Sequence, residues 1–300
     1  MQIVPKKPVP GWLKKLITER RQTKVARENQ QQKLLPDEKL FHDSIRDKLH
    51  GLFETNQFAN FSRCGEESIY RTCKCCGAVE EYSYRCSLKW CPICQWRIAE
   101  RRRKMILEWS KHVTQPKHLV TTQRNFPILT AKKIREFQLN MVKLRRTLVF
   151  EKVQGGCVSI EITNEGRGWH LHAHWLVDAR WVDAQALAIT WGNLVGQDYA
   201  VVKVKDVREK DYAQEICKYL AKGSEVASWD PAQILEFVSA IRGRRFFFAF
   251  GSLFKAGKQV RADLAKQKKP MADCECGAHD FLFESELSAV LNQIRKEKRK

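Results

Sequence analysis

From about residue 117 the spacing of apolar residues becomes regular and predicts alternating strands and helices. The stretch KHLVTTQ (117–123) is a short β-rich run. Residues 130–150 have the spacing of an amphipathic helix, with apolar side chains at Ile134, Phe137, Met141, Leu144 and Leu148. Gly155 and Gly156 then interrupt the chain, so a new element is expected to begin after them.

The pattern downstream of these glycines completes a recognisable order of elements. It predicts strands at 157–163 and 169–177 around the turn NEGRG, a helix at 183–195, a strand at 199–205 and a helix at 211–222 that Gly223 ends. The whole order is β-α-β-β-α-β-α. It predicts an α+β fold of the ferredoxin-like (split βαβ) type, in which an antiparallel sheet carries helices on one face.

The two central strands also predict their own pairing. If the loop between them is 165–168, one face of the hairpin is apolar throughout, with Ile162 opposite Leu171, Ile160 opposite Ala173 and Val158 opposite Trp175. The opposite face then pairs Glu161 with His172 and Ser159 with His174. One register gives both strands an apolar face and a polar face, and this agreement supports the predicted pairing.

The polar face of this hairpin is a candidate metal site. His170, His172 and His174 alternate along one strand, so their imidazoles project from the same side. Two such histidines and a carboxylate from the next strand can hold one divalent cation, and this ligand mixture suits Mn²⁺, or Mg²⁺ with retained waters. The alternative is an exposed polar face that happens to contain histidines. It is less favoured because three alternating histidines opposite a glutamate are uncommon in a chain with only 8 histidines.

The last predicted helix carries a candidate nucleophile. In DYAQEICKYLAKG (211–223), Glu215, Tyr219 and Lys222 share one face at positions i, i+4 and i+7. A phenol can attack phosphorus where a cation stabilises the phosphate, and Lys218 and Lys222 flank the tyrosine. A tyrosine on an amphipathic helix usually serves packing, but the nearby histidine strand favours a catalytic role.

Cysteines indicate a second kind of metal site. The chain has 11 cysteines, an odd number, and seven of them lie between Cys64 and Cys94, a crowding that indicates metal binding in a reducing compartment. The pairs Cys73/Cys76 and Cys91/Cys94 have the spacing of a four-thiolate zinc ribbon. Three other cysteines of the segment remain possible ligands: Cys64, Cys75 and Cys86. The group Cys274, Cys276 and His279 stays unassigned, and a buried cluster of thiols without metal is the alternative.

Charge indicates the kind of partner. The chain has 300 residues with 54 Lys and Arg against 34 Asp and Glu, a formal net charge of +20. Such an excess of positive charge favours binding to a polyanion, most often a nucleic acid. The positive excess lies in 1–40, 95–155 and 242–300, whereas 156–222 is nearly neutral. No apolar run is long enough to cross a membrane and the N-terminus lacks the apolar core of a secretion signal, so we expect a cytoplasmic protein that does not bind membranes.

Three segments, in order, resemble the motifs of plasmid rolling-circle replication initiators of the HUH endonuclease superfamily. They are HLVTTQRN (118–125), HLHAHWLV (170–177) and EICKYLAK (215–222), the last with a KYxxK signature. The segment CSLKWCPICQWRIAERR (86–102) is similar to the cysteine-rich segment that these proteins carry upstream. The resemblance covers about 86–222.

The resemblance implies roles for particular residues. Tyr219 would be the nucleophile, His172 and His174 the metal ligands, and Glu161 the third ligand. Glu215 matches a carboxylate that some members use to activate the terminating nucleophile.

Two positions depart from the family pattern. Ala173 stands where a bulky apolar residue is usual, and Leu171 where proline is common. His170 therefore remains an alternative to either of the paired histidine ligands.

The resulting prediction is a metal-dependent enzyme that nicks DNA at a specific site and transfers the strand through a 5′-phosphotyrosyl intermediate. Its DNA would be single-stranded or a hairpin origin, with a host helicase and polymerase as further partners. We expect a basic arm and linker (1–60), a zinc module with a basic helix (61–112), the nuclease core (113–225) and a helical, basic region (226–300). A transposase or relaxase with the same chemistry, or a non-catalytic zinc-dependent DNA-binding regulator, are the alternatives.

Overall fold

A computed structural model describes residues 36–52, 55–111, 113–207, 222–254, 257, 262, 276–277 and 280–285. Most of the predicted basic arm lies outside these residues, as do residues 211–221 of the last predicted helix. No described helix has the length and apolar character needed to span a bilayer.

The described residues form a mixed α/β structure with two antiparallel sheets. The helices are α1 (Pro36–Leu49), α2 (Asn56–Ser62), α3 (Pro92–Ser110), α4 (Ala131–Leu144), α5 (Ala184–Val195), α6 (Gly223–Ser228) and α7 (Pro231–Ile241). The strands are β1 (Ser68–Cys73), β2 (Val79–Ser83), β3 (Pro116–Thr122), β4 (Gly155–Thr163), β5 (His170–Asp178), β6 (Val202–Asp206), β7 (Phe247–Phe250) and β8 (Phe281–Ser285). The larger sheet has the order β6-β3-β5-β4-β7, and the smaller one has the order β2-β1-β8.

The predicted register of the central hairpin is confirmed. Strands β4 and β5 pair with Ile160 opposite Ala173 and Glu161 opposite His172, as the alternation of side chains indicates. The apolar face of the hairpin is buried in one large core with the stripe of α4. In this core the rings of Phe137 on α4 and Trp191 on α5 meet edge to face at 5.4 Å.

Helix α4 ends earlier than the apolar spacing predicts. It stops at Leu144, and Leu148 is 85% exposed instead of continuing the buried stripe. A short 3₁₀ turn, Leu148–Phe150, redirects the chain and buries Phe150, whose ring meets Trp175 edge to face at 5.4 Å. The core is therefore completed by Phe150, which the helical spacing alone does not select.

Helices lie on both faces of the larger sheet, whereas the sequence predicts helices on one face only. Ile106 and Trp109 of α3 pack on Cys157 of β4 and Leu176 of β5 in a second, smaller core. The physical reason is that Cys157 and Leu176 are apolar positions on the otherwise polar side of the hairpin. One end of that side is thus covered by α3.

A buried histidine in α1 predicts a loss of stability in mild acid. His42 is fully buried and donates from Nε2 to the Phe61 carbonyl at 2.9 Å, and its burial lowers its pKa below the ordinary value of 6.5. Because the unfolded chain takes up this proton more readily, we expect the free energy of unfolding to fall below pH 6.5 by at most about 1.4 kcal/mol per pH unit from this group. Urea unfolding at pH 7 and pH 5.5 measures it. His42→Gln should reduce this slope, and an unchanged slope would contradict the assignment.

Candidate functional site

The candidate site is the side of the larger sheet that carries His170, His172 and His174, which we name the histidine face. The alternation of β5 places the three rings on this side, and the neighbouring strands add Glu161 opposite His172 on β4 and Thr122 opposite it on β3. Three imidazoles and one carboxylate thus share a small area of the sheet.

His174 is held between two charged or polar neighbours. Its Nε2 lies 3.1 Å from Glu161 Oε2, and its Nδ1 lies 3.4 Å from His118 Nε2. A carboxylate only accepts, so Nε2 of His174 carries the proton and its Nδ1 accepts from His118. His174 and Glu161 are both buried, and this chain of hydrogen bonds fixes the orientation of the His174 ring.

His170 is oriented by the end of the preceding motif. Its Nδ1 donates to Asn125 Oδ1, while Asn125 Nδ2 donates to the Arg167 carbonyl at 3.1 Å. The Nε2 atom of His170 is buried and has no hydrogen-bond partner among the described residues. Since Nδ1 carries the proton, Nε2 carries the lone pair that a metal ion would use.

The electrostatics of the face keep His172 uncharged. Burial, and after it the neighbouring His170, lower the pKa of His172 to about 4, while Glu161 opposes the shift. The two rings lie 4.1 Å apart between centroids. At neutral pH His172 is therefore the neutral imidazole, the form that binds divalent metals.

The possible ligand atoms of the histidine face lie farther apart than the sulfur atoms of the cysteine groups. Within the described ranges, the groups of three or more ligand atoms that lie within 4.8 Å of one another are both made of cysteines. A cation on the histidine face would therefore require the rings and Glu161 to turn toward it.

The residues that directly follow the candidate nucleophile segment contact the chain next to the histidine face. Glu215 and Tyr219 lie outside the described residues, whereas Lys222 is described, is exposed and precedes α6. Glu225 of α6 accepts from the backbone N–H of Asn164, directly after β4, at 2.8 Å. Burial raises the pKa of Glu225, and the Glu161 carboxylate adds to the rise. The end of the KYxxK segment is thus anchored next to the strand that carries Glu161.

A buried cluster of four cysteines forms the first metal group. The sulfur atoms of Cys64, Cys86, Cys91 and Cys94 all lie within 4.8 Å of one another. Cys91 precedes the first residue of α3, Cys94 lies in its first turn, and the residues after Cys64 and Cys86 have positive φ angles of 80° and 57°. Hydrogen bonds from the neighbouring thiols lower the pKa of Cys64, which favours the thiolate that binds metals.

The structure divides the predicted set of zinc ligands between two groups. Cys91 and Cys94 join Cys64 and Cys86, whereas Cys73 and Cys76 join Cys276. The reason is that Cys91 and Cys94 open α3, while Cys73 ends β1 in the other sheet. Both groups can hold a metal ion and are compatible with zinc.

Sequence reasoning missed two contacts of the histidine face. His118 and Asn125 each contact one of the three histidines, and both belong to the segment HLVTTQRN that precedes α4. The signal was present, because this segment was recognised as a motif, but only the sheet register shows which rings its ends reach.

Comparison with known families identifies the class. The profile of the Replication protein family (Rep_1) matches residues 80–282, so the chain belongs to this family of replication proteins. The match confirms the resemblance to plasmid rolling-circle replication initiators, a class that acts on DNA and whose members are typically nucleases. No curated protein and no solved structure matches the chain.

Proposed function

We propose that this protein starts rolling-circle replication by nicking DNA at a specific site and transferring the cut strand through Tyr219. The histidine face carries the proposal, because it sets three imidazoles and Glu161 on one side of an antiparallel sheet. The order β-α-β-β-α-β and the strand order β6-β3-β5-β4 support a ferredoxin-like HUH core within 113–225.

The proposed ligands of the catalytic cation are His172, His174 and Glu161. The neutral state of His172 and the 3.1 Å separation of His174 Nε2 from Glu161 Oε2 support this set. A cation there would replace the Nε2 proton of His174, and His174 Nδ1 would then donate to His118 instead of accepting from it. His170 is the alternative ligand, because its Nε2 lone pair has no partner among the described residues. A bound Mn²⁺ or Mg²⁺ would supply positive charge to the scissile phosphate.

The proposed reaction is a transesterification at phosphorus. The phenol oxygen of Tyr219 attacks in line and loses its proton, a bond from phosphorus to this oxygen forms, and the bond to the 3′ oxygen breaks. The 3′ oxygen takes up a proton and leaves as the hydroxyl that a polymerase extends. The phosphoester is conserved in the 5′-phosphotyrosyl link, so no ATP is consumed. Lys222 would stabilise charge on the phosphate, and Glu215 would activate water or a second nucleophile to end the cycle.

Helix α3 supplies a surface that can hold DNA. Arg97, Arg101 and Lys104 are exposed and follow one another at positions i, i+4 and i+7, so they line one side of the helix. Such a row can contact successive phosphates without reading bases. Sequence specificity would then come from elsewhere in the complex, and a host helicase and polymerase would act after the nick.

The test uses the full chain and labelled oligonucleotides from the hairpin origin of the plasmid that encodes it. With Mn²⁺ we expect one cut and a covalent protein–DNA adduct, and both should be absent when neither Mn²⁺ nor Mg²⁺ is added to the zinc-loaded protein. Absence of cleavage in any single-stranded DNA would favour a non-catalytic zinc-dependent regulator. Cleavage at a transposon end or a transfer origin, with none at the replication origin, would favour a transposase or relaxase.

Removing the charge of Glu161 is expected to weaken the use of the catalytic cation. Glu161→Gln keeps the side chain's shape but loses its negative charge, so we expect the Mn²⁺ concentration for half-maximal nicking to rise by about 10- to 100-fold. Saturating Mn²⁺ should restore part of the rate. The matched control is Glu165→Gln, since Glu165 is exposed in the hairpin loop. An equal Mn²⁺ requirement in both variants would remove Glu161 from the ligand set.

A further inference from the structure

A second cluster of cysteines joins two distant parts of the chain. Cys73 ends β1, Cys76 lies in the turn to β2, and Cys276 precedes β8. Their sulfur atoms lie within 4.8 Å of one another, and those of Cys73 and Cys276 are 3.7 Å apart. The two residues of this last contact are 203 positions apart in the sequence.

The backbone around these cysteines has the same form as in the four-cysteine cluster. Gly77 follows Cys76 with φ at 75°, and Gly277 follows Cys276 with φ at 80°. Among the described residues, no atom lies within 4 Å of a Cβ placed at either glycine, so the requirement for glycine is conformational. Successive N–H groups at such turns create a concave site for an anion, and a thiolate is such an anion. In the first cluster, the Cys86 N–H donates to Cys64 Sγ at 3.4 Å, so a backbone N–H does contact a cysteine sulfur there.

Contacts outside the cysteines hold Cys276 close to the β1–β2 hairpin. Strand β8 pairs with β1 in an antiparallel register from Ile69 to Cys73. The Lys74 N–H donates to the Asp280 carbonyl at 3.0 Å, and the Lys74 ammonium lies 2.8 Å from the Asp280 carboxylate. The approach of the three sulfur atoms is thus supported by hydrogen bonds on the side of β8.

We propose that Cys73, Cys76 and Cys276 bind a second zinc ion, which fastens β8 to the β1–β2 hairpin. Three thiolates select a soft, tetrahedral ion, and each thiol releases its proton to solvent as it binds. Cys274 and His279, which flank Cys276 in the sequence, lie outside the described residues. The site is independent of the histidine face, so it stands whether or not the protein nicks DNA.

Zinc content of the full chain, purified under reducing conditions, tests the proposal. We expect two zinc ions per chain in the wild type and one in Cys276→Ser and in Cys76→Ser. The matched control is Cys75→Ser, because Cys75 neighbours Cys76 and is exposed but belongs to neither cluster; it should retain two. Cobalt(II) replacement should show the same halving in its thiolate charge-transfer absorption.

Hydrogen exchange gives a second readout that does not depend on metal counting. Amide protection at 281–285 should fall in Cys276→Ser and stay at the wild-type level in Cys75→Ser, while protection in β4 and β5 shows that the rest of the chain is folded. One zinc per chain in the wild type, with no loss in Cys276→Ser, would overturn the proposal. A disulfide between Cys73 and Cys276 found by mass spectrometry would also overturn it.

Discussion

Tyr219→Phe is expected to abolish the covalent protein–DNA adduct and to lower the nicking rate by at least about 10⁴-fold, because it removes the only atom that the proposed reaction joins to phosphorus. The change deletes one oxygen and keeps the ring, so DNA binding should be preserved. A gel that separates labelled adduct from free oligonucleotide measures the first quantity, and fluorescence anisotropy measures the second.

The matched control for this experiment is Tyr199→Phe. Tyr199 precedes β6 and is 61% exposed, and it should keep the wild-type nicking rate. A labelled adduct that persists in Tyr219→Phe would remove Tyr219 as the nucleophile. If Tyr199→Phe lost the adduct instead, the nucleophile would have to be sought at β6.

Cys94→Ala is expected to cause the largest loss of stability. Structural zinc sites contribute on the order of 10 kcal/mol to folding, which is comparable with the whole free energy of unfolding of a typical domain. Cys94 is buried among the three other sulfur atoms of its cluster. Without it we expect the region around α3 to unfold at moderate temperature, and a zinc chelator should bring the wild type to the same thermal midpoint.

Cys157→Ala provides the comparison for Cys94→Ala. Cys157 is fully buried against α3 but belongs to neither metal group, so no metal site is lost, and we expect a cost of about 1–2 kcal/mol. Circular dichroism during heating, with and without chelator, compares the two variants. Equal losses, with no effect of the chelator on the wild type, would show that the first cluster is a packing core without metal.

The alternation of side chains predicts the pairing of β4 and β5 correctly, because a one-residue shift would move every apolar side chain to the polar side. Contacts within the histidine face are less predictable. Glu161 is opposite His172 in the register, yet its carboxylate contacts His174, the diagonal neighbour. Diagonal positions lie within reach of long side chains, so the choice depends on rotamers that the pattern of residues does not specify.

The division of the cysteines is unpredictable for a different reason. Sequence spacing identifies local pairs such as Cys73/Cys76 and Cys91/Cys94, because each pair fits one turn. Which pairs meet depends on the path of the whole chain, and Cys276 reaches its partners only through the pairing of β8 with β1. The number of cysteines indicates metal, but the assignment to two groups requires the fold.

Helix α3 sets a fixed distance between the four-cysteine cluster and the larger sheet. Its 19 residues span about 28 Å; its first turn holds Cys94 in the four-cysteine cluster, and its last turns rest on the covered end of the sheet that bears the histidine face. Both ends are fixed, so the exposed arginines between them cannot shift along the sheet. DNA phosphates bound along these side chains would then lie at a fixed distance from the histidine face, whatever the base sequence of the DNA.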